Sequence, residues 1–150
     1  MMSSEVIRQV LTEELPAVLS FWKEAEVTPP SVTDSIEGLS ILMRQPAALL
    51  LVATIDGKIV GSVIGGWDGW RGNIYRLAVA PAHRRKGIAR RLVSEISTAL
   101  FKRGAQRLSA LVEHEHPWAM EFWRAVRDLG YAHDPTFTRF VADRMSARSR

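Results

Sequence analysis

The stretch from Ile74 to Leu100 constrains this chain more than any other. Ile74 to Val79 reads as a strand that stops at Pro81, and a short basic loop, His83-Arg84-Arg85-Lys86, follows. Beyond Gly87, the residues Ile88, Leu92, Ile96 and Leu100 recur at i+4 steps with Val93 beside them. This is the spacing of one face of an α-helix, and Gly104 stands where its C-terminal cap belongs. A strand that feeds such a helix implies an α/β fold in which the helix crosses back over a sheet to a parallel neighbour.

The rest of the chain supplies the other elements. Val6, Ile7 and Val10 make a short first strand, Thr12 is expected to cap a helix with Pro16 in its first turn, and Leu15, Val18, Leu19 and Trp22 form its apolar stripe. Pro29-Pro30 break that helix, and a second is expected over about Thr33 to Arg44, with Ile36, Leu39 and Met43 on one face and Pro46 closing it. Ala48 to Ile55 and Lys58 to Gly65 flank Asp56-Gly57, a pair suited to the positive φ values of a tight antiparallel hairpin. Gly65 to Gly72 reads as a glycine-rich loop. Leu108 to Val112 is a strand, Pro117 opens a helix whose stripe is Ala119, Phe122, Trp123 and Val126, and Gly130 ends it. Phe137 to Val141 is expected as a final strand before a frayed polar tail. The order is β-α-α-β-β-β-α-β-α-β in one domain spanning residues 1–150, without repeats or linkers.

Composition narrows the function. The chain has no cysteine, which excludes a disulfide framework, a thiolate metal site and a cysteine nucleophile. The longest apolar run, Ala47 to Ala53, is far too short to span a bilayer, and the start Met-Met-Ser-Ser-Glu-Val has no secretory pattern, so a cytoplasmic protein is expected. The net charge of +4 hides an asymmetry. Residues 1–70 carry four basic against nine acidic side chains, and residues 71–150 carry sixteen against seven. Such a split suits an anionic partner: nucleic acid, an acidic membrane or a small phosphorylated ligand.

The strand, proline, basic loop and glycine before the helix choose among these. Unpaired N–H groups converge at the positive end of that helix, which makes a phosphate cradle. Gly87 and Ala89 allow close approach, and Arg84, Arg85 and Lys86 add charge and donors. Neither a P-loop nor a Gly-x-Gly-x-x-Gly fingerprint is present. An isolated cluster of Arg84, Arg85, Lys86, Arg90 and Arg91 would read as a solvated face; the strand-loop-helix context argues otherwise. Nucleic-acid binding is disfavoured, because the charges gather at a helix start and no helix-turn-helix or RNP-like pattern occurs.

Arg84-x-x-Gly87-x-Ala89 after Val79-x-Pro81 resembles the signature of the GCN5-related N-acetyltransferase (GNAT) family: Gln or Arg, two residues, Gly, one residue, then Gly or Ala. The element order is similar across nearly the whole chain. Gly65-Gly66-Trp67-Asp68-Gly69-Trp70-Arg71-Gly72 resembles a loop of the small bacterial YpeA-like subgroup. The resemblance implies a mixed, mostly antiparallel central sheet flanked by helices, and acetyl-coenzyme A as co-substrate. It implies that Arg84, Arg85, Lys86, Gly87, Ile88 and Ala89 hold the coenzyme's pyrophosphate. Leu77, Ala78 and Val79 would then line up its pantetheine arm as an added strand and supply a backbone oxyanion donor. With no cysteine, the acetyl group would pass directly to an amine.

The same resemblance exposes a departure. The family pattern Asn-x-x-Ala-x-x-x-Tyr, aligned on Ala119, puts His116 at the asparagine and Trp123 at the tyrosine that protonates the leaving thiolate. An indole is no useful acid, so Trp123 is expected in the core or as a wall of the coenzyme slot. His116 or Tyr75 are substitutes for the acid, each also readable as a cap or core residue. Glu113, Glu115 and Asp68 are candidate bases, each also readable as a solvated carboxylate.

The acceptor slot implied by the resemblance lies between the first two helices and the loops near Trp67–Arg71 and Glu113–Trp118. Trp67, Asp68 and Trp70 are its expected lining, although tryptophans there can instead pack under loops. The partners are acetyl-coenzyme A and an amine of a small molecule or peptide, with no nucleic acid or membrane, and a homodimer is allowed. No metal is expected, since only His114-x-His116 approaches ligand spacing. The rival function, prompted by Trp123, is a non-catalytic acyl-coenzyme A sensor.

Overall fold

The computed structural model describes residues 5–25, 31–114 and 116–144. Pro29-Pro30, Glu115 and the tail beyond Arg144 lie outside the described residues. Nine regular elements follow one another among those described: β1 (Glu5–Gln9), α1 (Leu15–Glu24), α2 (Ile36–Met43), β2 (Ala48–Ile55), β3 (Lys58–Trp67), β4 (Gly72–Val79), α3 (Ile88–Lys102), β5 (Leu108–Ala110) and α4 (Pro117–Ala125). The strands form one sheet in the order β1-β2-β3-β4-β5, antiparallel except for the β4–β5 pair. The α3 crossover makes that last pair parallel, as expected for a helix joining neighbouring strands.

Alternation along the strands divides the core into two layers. Leu50, Val52 and Ile64 face α1 and α2, where they meet Leu15, Val18, Phe21, Trp22 and Leu39. Leu49, Ala53, Val60, Val63 and Ile74 face α3, whose stripe of Ile88, Leu92, Ile96 and Leu100 is fully buried. The hairpin turn is as the sequence implies, with Asp56 at φ 51° and Gly57 at φ 83°.

Four expectations are corrected. Thr12 does not cap α1: residues Thr12–Glu14 form a 3-10 turn, and the Glu14 carboxylate reaches back to accept the Leu11 N–H at 2.8 Å while pairing with Arg8. The second helix starts later than Thr33 because the Ser35 hydroxyl accepts the Gly38 N–H at 2.9 Å, so Ile36 lies exposed in its first turn.

The expected glycine-rich loop shrinks to residues 68–71, because Gly65, Gly66 and Trp67 belong to β3. A Cβ on Gly65 would sit 2.5 Å from Ile96 Cγ1, so glycine is there to let α3 cross closely over the strand. The strand expected over Phe137–Val141 does not form. Asp134 Oδ1 accepts the Thr136 N–H and turns the chain just before it, β5 offers only three residues of edge, and Phe137 and Phe140 fall on opposite faces of any strand. Phe140 is accordingly 92% exposed.

Candidate active site

The site grows from an irregularity in β4. Ser62 pairs with Ala78 and Ile64 with Tyr75, so Arg76 and Leu77 together oppose the single residue Val63. This is a β-bulge, and Arg76 adopts φ 53°, a left-handed conformation uncommon for a side-chain-bearing residue. The bulge is held from the α1 side: Trp22 Nε1 donates to Ser62 Oγ at 2.8 Å, and Ser62 Oγ donates to the Arg76 carbonyl at 2.9 Å.

The β4–β5 ladder ends at Ile74 and Ala110. Beyond it the two strands part around a cleft lined by Tyr75 to Ala78 on one side, Leu111 to Glu113 on the other, and His116, Trp118, Ala119 and Trp123 from α4 and its approach. Along Leu77 to Val79 no strand among the described residues stands beside β4 on the side of β5, which leaves room for an extended ligand.

A second, open cavity lies past Val79 at the start of α3. Gly87 is the N-cap at φ 83°, no side chain caps the helix, and no acidic residue stands in its first turn. A Cβ on Gly87 would meet nothing within 4 Å, so the space in front of the first-turn N–H groups is open. Those donors, the helix dipole and the exposed Arg85 and Lys86 make a fitting seat for a phosphate. Ile88 and Ala89 contribute backbone only, because their side chains are buried in the α3 core.

The Arg84 side chain is not offered to that seat. Its Nε donates to the Val79 carbonyl at 3.0 Å, its Nη2 to the Ala25 carbonyl at 3.1 Å, and its guanidinium lies 4.9 Å from the Trp118 ring centroid. Arg84 therefore forms a partition between the two cavities, lining both. Arg85 pairs loosely with Glu121 across the second cavity at 3.6 Å, and Arg90 pairs with Asp128.

The structure brings Glu113, His116, Tyr75 and Trp123 together around the first cleft. Glu113 Oε2 is buried and has no hydrogen-bond partner among the described residues, leaving an acceptor open to a donor in the cleft. His116 caps α4, its Nδ1 accepting the Ala119 N–H at 3.4 Å; that acceptor role places a neutral ring's proton on Nε2. Burial pushes the Tyr75 phenol above its ordinary pKa against a smaller opposing pull from Arg139, with Asp68 adding slightly to the rise, so it keeps its proton at neutral pH. Trp123 lines the cleft and packs edge-on against Phe122 and Tyr131.

The three residues expected to line an acceptor slot do not line the cleft. Trp67 closes over Gly104 at the far end of α3. Asp68 accepts the Trp70 and Arg71 N–H groups at 2.9 Å each, which holds its pKa below the ordinary range and spends the carboxylate on the turn. Trp70 is 75% exposed beside Arg71. This loop precedes Gly72, about 20 Å of strand away from the phosphate seat beyond Val79. Sequence reasoning missed Arg76 and Ala25, since a bulge and a cross-chain contact leave no local signal; Trp118 was legible as an aromatic of the slot.

Among the described residues no helix is long and apolar enough to cross a membrane, and no group of three or more His, Asp or Glu is placed to hold a metal ion. The acetyltransferase (GNAT) family matches residues 8–131 of the chain. An acetyltransferase of Pectobacterium atrosepticum is 34% identical over 110 residues, 73% of this chain and 77% of the relative. Two solved structures share the fold. The aminoglycoside N-acetyltransferase AAC(6')-Iy in complex with CoA superposes with a TM-score of 0.73 at 14% identity, over 95% of this chain and 97% of that one. The PaiA N-acetyltransferase of Thermoplasma acidophilum in complex with coenzyme A gives 0.70 at 18%, over 80% and 86%. With its parted β4 and β5, its bulge and its uncapped α3 start, this chain belongs to the GNAT family of acetyltransferases.

Proposed function

We propose that the protein is an acetyl-coenzyme A-dependent N-acetyltransferase that passes the acetyl group directly to a primary amine of a small molecule or peptide. One observation carries this reading: the open phosphate seat at Gly87 and a cleft in which Glu113 Oε2 has no hydrogen-bond partner among the described residues lie along the same end of β4, divided only by the Arg84 side chain. The relatives solved with coenzyme A support the choice of cofactor.

The coenzyme supplies an acetyl thioester whose carbonyl carbon is open to attack. The start of α3, with Arg85 and Lys86, binds the phosphates, and the β4 edge from Leu77 to Val79 orients the pantetheine arm. A backbone N–H at the bulge receives the developing oxyanion. Glu113 takes a proton from the bound ammonium, directly or through a water, so that the neutral nitrogen forms the C–N bond. As the C–S bond breaks, the thiolate takes a proton from the half-exposed Tyr75 phenol, and the proton shed by the acylated nitrogen restores that phenol; His116, with Nδ1 accepting the Ala119 N–H, offers the sulfur an Nε2–H hydrogen bond only.

Calorimetry with acetyl-coenzyme A tests the binding step, and no heat up to millimolar ligand rejects the reading. Thiol release over polyamines, aminoglycosides, amino acids and N-terminal peptides tests transfer. Glu113→Gln is expected to lower turnover at least about tenfold while coenzyme affinity holds. Trp123 in the tyrosine's place favours a second reading, a non-catalytic acyl-coenzyme A sensor. It requires coenzyme binding without thiol release on any amine.

A further inference from the structure

Asp34 stands just before α2, and its carboxylate reaches across to the bulge of β4. Arg76 Nη2 donates to Asp34 Oδ2 at 2.5 Å and Arg76 Nε donates to Oδ1 at 3.3 Å, with both side chains only 13% exposed. The carboxylate is itself fixed locally, because Oδ2 also accepts the Ser31 N–H at 3.2 Å and the next residue, Ser35, caps α2. The guanidinium lies over the Trp22 ring at 5.5 Å, so the arginine is gripped between α1 and the approach to α2.

Arg76 is the residue whose backbone departs from strand geometry, and it lines the cleft. A non-glycine residue at φ 53° persists only where its surroundings over-determine it. Two independent grips do so here: the Trp22–Ser62 chain on its carbonyl and the Asp34 fork on its side chain. The first fixes where the peptide points; the second fixes the rotation of the whole residue.

We propose that Asp34 is a positioning residue for the acetyl group, acting through Arg76 to hold the β4 bulge in the shape that presents the backbone at Leu77 to the cleft. The inference rests on the acetyltransferase reading of that cleft. It also means that the acetyl site and the start of α2 move as one body, since the same carboxylate belongs to both.

Coenzyme A and acetyl-coenzyme A differ only in the group the bulge would hold, so their affinities separate this role from a general one. Calorimetry with each is carried out on the wild type and on Asp34→Asn, which keeps the shape and removes the charge. The expected result is a coenzyme A Kd within about twofold of wild type and an acetyl-coenzyme A Kd weakened about fivefold or more, the equivalent of one lost hydrogen bond. Equal weakening of both ligands, or no change in either, overturns the proposal. Should Asp34→Asn fail to fold, Arg76→Lys keeps the charge without the fork and is expected to show the same selective loss. Failure of the wild type to bind either ligand would instead reject the underlying function.

Discussion

Arg84 Nε donates to the carbonyl of Val79, 3.0 Å away, and this bond turns the first residue of the basic loop back into the molecule. The same guanidinium reaches Ala25 at the end of α1 and covers Trp118. The arginine of the family signature is thus a brace joining β4, α1 and the approach to α4, and the proposed phosphate seat is left to backbone N–H groups and its exposed neighbours. Arg84→Ala is expected to cost about 2 kcal/mol, from two charged hydrogen bonds and a cation–π contact. Thermal unfolding reads that loss, and calorimetry should show coenzyme affinity falling by less than about tenfold.

Gly87→Glu is the complementary change. The side chain finds open space, so the fold survives the strain of φ 83° at a cost of about 1 kcal/mol. Its carboxylate, however, stands before the α3 N–H groups where a phosphate would sit. Coenzyme affinity should drop at least about a hundredfold, measured by calorimetry, with the circular dichroism spectrum unchanged. Retained affinity in the folded variant would show that the seat lies elsewhere.

Gly65→Val tests the close crossing of α3 over β3. The new Cβ would come within 2.5 Å of Ile96 and 2.9 Å of Leu100, both fully buried, so neither the helix nor the strand can yield cheaply. A loss of about 3 kcal/mol in urea unfolding is expected, at the upper end for overpacking, even though valine has the higher strand propensity.

Acid stability should report on the pair formed by Arg8 and Glu14, joined by bonds of 2.8 and 2.7 Å. The Arg8 guanidinium, helped by the Leu11 N–H, holds the Glu14 pKa down at about 2. A carboxylate with a lowered folded pKa stabilises the protein above its unfolded value, near 4.3, and that contribution is lost as pH falls through about 2. Glu14→Gln should therefore lower stability at neutral pH by about 1 kcal/mol and flatten the fall in stability between about pH 4.5 and 2. Unfolding followed by fluorescence across that range checks both.

Local chemistry made much of this protein legible in its sequence. The Asp56-Gly57 turn, the i+4 stripe of α3 and the proline at the start of α4 each act within a few residues, so periodicity and turn preference place them without reference to the rest of the chain. The seat proposed for the phosphates belongs to the same class, because a helix start builds it from consecutive backbone groups. What only the tertiary structure decided depends on residues far apart. Position 65 requires glycine because Ile96 passes over it, and Arg84 is a brace because Ala25, Val79 and Trp118 converge on it.

Trp67 and Trp70, which as isolated aromatics read equally as ligand walls or packing, stand outside the lining of the cleft, Trp67 packed over Gly104 and Trp70 exposed. Phe137 to Val141 has strand-like residues but lacks the period of two and meets an edge of three residues. Most of all, the bulge at Arg76 is invisible in sequence. It is set by Trp22 of α1, Ser62 of β3 and Asp34 on the approach to α2, and hydrogen bonds between distant parts of the chain exist only once the core has brought them together.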